Sequence, residues 1–255
     1  MEKNGLNLKS DNINLVGEIY LPDTGEKQYP AICFCHGIPA VPYNPNEPGY
    51  SILAEKFCAE GFITLIFNFR GTGLSEGNLD LLGWSRDLKA AIDCLRTLDE
   101  VDKSHLSLIG FSGGAAVSIY HAATDAGEIS SVIALACPAY FHRFSPNDQG
   151  ESLIEHFRNI GVIRDKGFPS SAEDWVKGFT TIAPVQWIDK ISPHPLLLIH
   201  GDKDDVVPIE HCFELYKKAN EPKNMAVIPG AEHRLRAEEK AINTALNWLK
   251  GKFVN

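Results

Sequence analysis

The fold turns on one stretch, Leu106-Ser107-Leu108-Ile109-Gly110-Phe111-Ser112-Gly113-Gly114-Ala115-Ala116-Val117-Ser118-Ile119-Tyr120. Leu106–Ile109 is a short apolar run suited to a buried strand. Gly113–Ala123 reads as the helix that follows it. Between them Ser112 stands in a Gly-x-Ser-x-Gly pattern. A strand that reverses into a helix within one residue leaves no room for side chains beside the turn, which explains the flanking glycines. Such an elbow exposes the serine Oγ and aims a helix N-terminus at any negative charge that develops there. Short Gly/Ser strings also arise by chance. The strand before and the helix after are what single out Ser112 as a candidate nucleophile.

Outward from this elbow, strands and helices alternate. Leu6–Lys9 and Ile13–Leu21 read as strands around a turn at Asp11-Asn12. Ala31–Cys35, Phe62–Phe67, Val132–Ala136, Leu196–Ile199 and Ala226–Ile228 read as further strands. Helical spacing of apolar residues marks Tyr50–Glu60, Trp84–Leu98, Glu210–Ala219 and Leu235–Leu249. The pattern predicts an α/β protein with a mostly parallel eight-stranded sheet and helices on both faces. One segment, 138–193, breaks the rhythm. It has no strand of its own and two helix-like pieces, near Glu151–Ile160 and Ala172–Phe179, with Ser171-x-x-Asp174 as a capping box for the second. An insertion of this length between strands is expected to be a small helical cap inside a single domain spanning residues 1–255.

A serine hydroxyl is a poor nucleophile until a base takes its proton, so a histidine and an orienting acid are required. Three acids compete in His200-Gly201-Asp202-Lys203-Asp204-Asp205-Val206-Val207-Pro208, which closes the strand Leu196–Ile199. His233, in the loop between the last strand and the last helix, is the expected base. His211 and His194 are next, but one starts a helix and the other precedes a strand. Two backbone N–H groups are needed for an oxyanion hole. Gly113 follows the nucleophile directly, and Ile38 lies in the loop His36-Gly37-Ile38 after a strand. His36 itself reads as a structural residue at the strand end.

The net charge of −9, with no Lys/Arg run, argues against nucleic acid and anionic membrane surfaces as partners. No secretory leader is expected in the polar start Met1–Ser10, and no run reaches the roughly 18 apolar residues of a membrane span. The six cysteines are scattered through apolar segments, with no disulfide or metal-ligand spacing. They read as buried free thiols of a cytoplasmic protein. The loop Phe69-Arg70-Gly71-Thr72-Gly73-Leu74-Ser75-Glu76-Gly77 is not a dinucleotide fingerprint, because its third glycine falls one place too late.

His36-Gly37, Gly110-x-Ser112-x-Gly114, the His200–Pro208 motif and His233 together resemble the α/β-hydrolase superfamily, across nearly the whole chain. The resemblance extends to the branch with dienelactone hydrolase-like proteins, small bacterial esterases and prolyl-oligopeptidase-type catalytic domains, which share the Arg70–Gly77 loop pattern. It implies the α/β-hydrolase fold and selects Asp204 among the three acids, since His-Gly-x-x-Asp-x-x-Val-Pro lands there. Dienelactone hydrolase itself uses a cysteine nucleophile, so its lactone substrate does not carry over to Ser112.

The expectation is a serine hydrolase of the carboxylesterase kind. Ser112, Asp204 and His233 are its catalytic residues, Ile38 and Gly113 its oxyanion hole, with no cofactor and no metal. Its partner is a small-molecule ester or related acyl compound; whether it is a monomer or a homo-oligomer is undetermined by sequence. Phe141, Phe144, Phe157, Trp175 and Trp187 in the cap are expected to bind substrate, with a small core of the cap's own as the alternative. The rival readings are acyl transfer, amide or peptide cleavage or perhydrolysis on the same residues, and a non-catalytic binding protein on this scaffold. No propeller domain is evident, so a peptidase restricted to oligopeptides is not expected.

Overall fold

The computed structural model describes residues 1–44, 49–125, 129–141 and 150–253. Its strands are β1 (Glu2–Ser10), β2 (Ile13–Leu21), β3 (Tyr29–Cys35), β4 (Ile63–Phe67), β5 (Val101–Phe111), β6 (Ser131–Leu135), β7 (Leu196–Gly201) and β8 (Lys223–Ile228). They form one sheet in the order β1-β2-β4-β3-β5-β6-β7-β8. β2 pairs antiparallel with both of its neighbours, and every other pairing is parallel. The helices are α1 (Ser51–Ala59), α2 (Leu81–Thr97), α3 (Gly113–Thr124), α4 (Gly150–Asn159), α5 (Ala172–Ile182), α6 (Glu210–Lys218) and α7 (Glu239–Phe253). This is the α/β-hydrolase fold that the sequence led us to expect.

Period-2 alternation sorts the central strands between two cores. Ala31, Cys33, Leu106, Leu108, Val132, Ala134, Leu196 and Leu198 face the side covered by α2, α3 and α6. Ile32, Phe34, Ile109, Phe111, Ile133, Leu135, Leu197 and Ile199 face α1 and α7. Both faces of these strands are dry, which is why they read as continuous apolar runs. In α2 the stripe Leu81, Trp84, Leu88, Ala91, Ile92 and Leu95 is buried along its length. Each large side chain in such a stripe contributes about 1.5–3 kcal/mol by leaving water.

Several element boundaries differ from the expected ones. β1 runs from Glu2, because it pairs with β2 from Glu2↔Leu21 to Ser10↔Ile13, although its first residues are exposed and carry no apolar signal. Its hairpin turn does sit at Asp11 and Asn12, with φ of 49° and 66°, as a two-residue turn between twisted strands requires. β5 begins at Val101 and β8 at Lys223, both ahead of their apolar runs. α2 starts before Trp84, since the Asp80 side chain caps it by accepting from the Leu82 N–H. The expected last helix is split. Leu235–Ala237 is a 3-10 turn, Glu238 is extended, and α7 begins after it.

The 138–193 insertion leaves the sheet after β6 and returns at β7. Ser171 caps α5 by accepting from the Asp174 N–H at 3.1 Å. α5 packs on α2 and α3, and α4 on α5. The insertion is stitched to the 71–79 loop. Val162 O accepts from the Leu79 N–H at 2.8 Å, and the Trp175 Nε1–H donates to Leu79 O at 2.7 Å. Asn78 Oδ1 accepts from the N–H groups of Arg164 and Asp165 at 2.7 and 2.9 Å. Arg164 then donates to the carbonyls of Gly73, Ser75 and Gly161. Among the described residues, no helix is long and apolar enough to cross a membrane.

Candidate functional site

Ser112 is the hinge between β5 and α3, with φ 51° and ψ −120°. The strained backbone is fixed by neighbours on both sides. Its N–H donates to Leu135 O at 2.8 Å, and its carbonyl accepts from Ala115 and Ala116 at 3.0 and 3.2 Å. The elbow glycines are sterically required. A Cβ on Gly110 would lie 2.4 Å from Ala115 Cα, and one on Gly114 would lie 2.3 Å from the carbonyl oxygens of both Cys35 and His36. These are backbone atoms, so no side-chain rotation relieves the clash.

The structure brings Ser112, His233 and Asp204 together at the C-terminal ends of β5, β8 and β7. The Ser112 Oγ–H donates to His233 Nε2 at 3.1 Å, and the His233 Nδ1–H donates to Asp204 Oδ2 at 2.8 Å. The Asp204 side chain is fully buried, while that of His233 is 20% exposed. Asp204 Oδ1 accepts from the Val206 and Val207 N–H groups at 3.0 and 2.8 Å. Burial alone would raise this carboxyl's pKa. Hydrogen bonds from His200, His233 and the Val207 N–H outweigh burial and hold it well below the ordinary carboxylate range. An Asp204 ionised at neutral pH keeps the His233 proton on Nδ1 and leaves Nε2 to accept from serine.

Asp202 and Asp205, the other acids of that loop, are placed differently. Asp202 accepts from the Gly230 N–H, and Asp205 is exposed. His211 Nδ1 accepts from the Ala139 N–H at 3.0 Å, and His194 is half-buried ahead of β7. The Gly113 and Ile38 N–H groups make no hydrogen bond among the described residues. They are neighbours, since a Cβ on Gly113 would lie 3.4 Å from Ile38 N. Two unspent donors beside Ser112 are what a developing oxyanion needs.

His36 supports this loop. Its Nδ1–H donates to Gly37 O at 2.8 Å, and Nε2 accepts from the Phe69 N–H at 3.1 Å. Its ring packs edge-on against Phe69 and Trp84. Burial pushes its pKa down to about 4, against a smaller opposing pull from the Gly37 carbonyl. Beneath it lies a buried ion pair: Arg70 donates to Asp87 from Nε and a terminal nitrogen, the latter at 2.6 Å. The Arg70 N–H also donates to Asp87 at 2.9 Å.

A cleft of about 480 Å³ opens over Ser112 and His233. Ile38–Asn44, Gly71–Leu74, Ile160–Val162, Arg164 and Arg234–Arg236 contribute to its wall. The four described cap aromatics expected to bind substrate, Phe141, Phe157, Trp175 and Trp187, do not. Phe157 and Trp175 are buried in the core between the insertion and the sheet, Phe141 stacks edge-on with Phe179, and Trp187 with Tyr120. Phe144 lies outside the described residues. For the other four the expectation is corrected toward the alternative: Phe141, Phe157 and Trp175 pack with Phe179 inside the insertion, and Trp187 packs on Tyr120 of α3, because an added layer must bury its own apolar face. The sequence reading assigned no role to Arg164, Arg234 and Leu74 on the wall or to His200 behind Asp204. Arg234 stands next to His233, and Leu74 and His200 lie within quoted motifs, while Arg164 carried no positional signal.

Among curated proteins, the chain is 31% identical over 173 residues to the uncharacterised protein YfhR of Escherichia coli (strain K12), covering 68% of this chain and 53% of that protein. It thus spans about half the length of YfhR. A solved structure of the hypothetical protein PA2218 from Pseudomonas aeruginosa superposes with a TM-score of 0.74 at 22% identity, covering 98% of this chain and 93% of that one. Est1E from Butyrivibrio proteoclasticus with ferulic acid bound superposes with a TM-score of 0.71 at 21% identity, covering 97% of each chain. At such identities these two speak to the fold. The prolyl oligopeptidase family model matches residues 48–255, and the chain belongs to that family.

Proposed function

We propose that the chain is a serine hydrolase acting on carboxylic esters of small molecules. The hydrogen-bonded chain from Ser112 through His233 to Asp204 carries this reading. His233 takes the serine proton as Oγ attacks the ester carbonyl, and Asp204 stabilises the resulting imidazolium. The Gly113 and Ile38 N–H groups receive the oxyanion, each donor worth about 3 kcal/mol in such sites. His233 then protonates the departing alcohol. Water, deprotonated by His233, attacks the acyl-Ser112 carbonyl, and the tetrahedral adduct collapses to acid and free serine.

The family match favours a second reading, amide cleavage on the same residues. A panel of matched esters and anilides separates the two. The first test is Ser112→Ala, expected to abolish both ester hydrolysis and labelling by a fluorophosphonate. Labelling that survives the substitution overturns the assignment of Ser112. The six free cysteines, five of them buried, suit a reducing compartment such as the cytoplasm.

A further inference from the structure

The cleft over Ser112 is charged against the sign of the whole chain. The chain carries −9. Among the described residues, the cleft wall holds three guanidinium groups, Arg164, Arg234 and Arg236, and one carboxylate, Glu18. Glu18 is already matched by Lys3, whose Nζ lies 2.9 Å from its Oε1. The Arg164 guanidinium donates only to the neutral carbonyls of Gly161, Gly73 and Ser75. Those bonds fix its direction without cancelling its charge, and a guanidinium with five N–H groups keeps two to offer. Arg234 is exposed, and its guanidinium makes no hydrogen bond or ion pair among the described residues. The same cleft is rimmed by exposed apolar side chains, with Val41 55%, Tyr43 54% and Leu74 64% accessible.

We propose that the substrate is an ester with an apolar body that carries a carboxylate, held by Arg164 and Arg234 while its acyl carbonyl meets Ser112. The proposal rests on the hydrolase reading above and adds the substrate class. A cleft with low-dielectric walls focuses unbalanced positive charge and draws anions from an acidic surface. A guanidinium matches a carboxylate in plane and with paired donors, which an ammonium does not. The apolar rim covers the uncharged body and strengthens the ion contact by excluding water.

The test compares the 4-nitrophenyl monoester of adipic acid with 4-nitrophenyl hexanoate, equal in chain length and different in charge. We expect kcat/KM to favour the anionic ester by about tenfold at low salt, as one charge-assisted contact gives. The ratio is expected to shrink toward one as ionic strength rises to about 1 M, where screening acts over about 3 Å. Arg234→Gln, which breaks no bond of the fold, should reduce the ratio. Binding is read separately by calorimetry on Ser112→Ala protein, with monomethyl adipate against methyl hexanoate. Equal turnover of both esters, or a ratio that Arg234→Gln leaves unchanged, overturns the charge inference and leaves the hydrolase reading standing. If neither ester is cleaved the hydrolase reading fails. The calorimetric preference then decides the charge inference alone: tighter binding of the monoanion supports it, and equal binding overturns it.

Discussion

His200 Nε2 lies 3.3 Å from Asp204 Oδ2, the carboxylate oxygen that also accepts from His233 at 2.8 Å. The same His200 nitrogen donates to Val207 O at 2.8 Å. One buried imidazole thus ties both ends of the Asp204 turn. His200→Phe should leave the Val207 carbonyl without its donor and cost about 1–3 kcal/mol in urea denaturation. Loosening the acid should also lower kcat by about tenfold, since small misplacements of a reacting group are costly. His200→Gln, which keeps a donor, should recover part of both. An unchanged kcat in His200→Phe would show that the turn holds Asp204 without help.

His36 sets a stability limit in weak acid. Above about pH 6.5 its imidazole is neutral in the folded and unfolded chains alike, and the fold keeps its full stability. Below that value the unfolded chain takes a proton that the buried ring refuses until about pH 4. Stability should therefore decline through this window by roughly 3 kcal/mol. Asp204, whose pKa is depressed, adds its own loss only below the unfolded carboxylate value of about 3.9. Urea midpoints measured between pH 7 and 4 check the first decline. A flat profile there would mean that the folded protein admits the His36 proton.

Gly114→Ala tests the elbow. The added Cβ would meet two carbonyl oxygens at 2.3 Å, and neither can rotate away. The substitution should cost about 3 kcal/mol or more and displace the Gly37–Ile38 loop, lowering activity with it. Thermal midpoint and ester hydrolysis are the readouts. A variant with native Tm would mean that the loop can move away from α3 at no cost.

The Arg70–Asp87 pair should behave as a buried ion pair does. Asp87→Ala leaves the buried guanidinium with only the half-exposed Asp11 carboxylate and the Ser10 hydroxyl as partners, and should cost about 3 kcal/mol. Replacing both partners with apolar residues of similar volume should cost much less than the sum of the single changes. A double-mutant cycle by denaturant unfolding measures the difference, and strict additivity would mean the two charges do not interact.

The central strands and the elbow were legible because their side chains are buried on both faces or sterically forced. The Gly110 and Gly114 contacts make the pattern around Ser112 a record of backbone packing. Asp204 was harder to read: Asp202, Asp204 and Asp205 are alike as residues, the motif spacing alone pointed to Asp204, and the turn that buries it supplies the physical distinction. The strand start Glu2 was silent, since pairing at the sheet edge orders the backbone without asking for apolar residues, and Val101 was silent because polar residues 102–105 separate it from the apolar run of β5. The cap aromatics misled for a related reason. A cluster of Phe and Trp signals burial, but sequence does not say against which surface. The cleft wall drew instead on Arg164, Leu74 and Arg234, residues far apart in the chain whose convergence depends on tertiary contacts.

The stitching of the insertion to the 71–79 loop makes the two segments a matched pair. Asn78 and the carbonyls of Gly73 and Ser75 fit Arg164, and Leu79 fits Val162 and Trp175. Insertions exchanged between relatives at the ends of β6 and β7 therefore import one half of an interlock. A transplant that ignores residues 71–79 would bring foreign donors to unsuited acceptors. Diversification of this cleft is constrained to change both segments together, and a chimera built to alter specificity should carry the loop along with the graft.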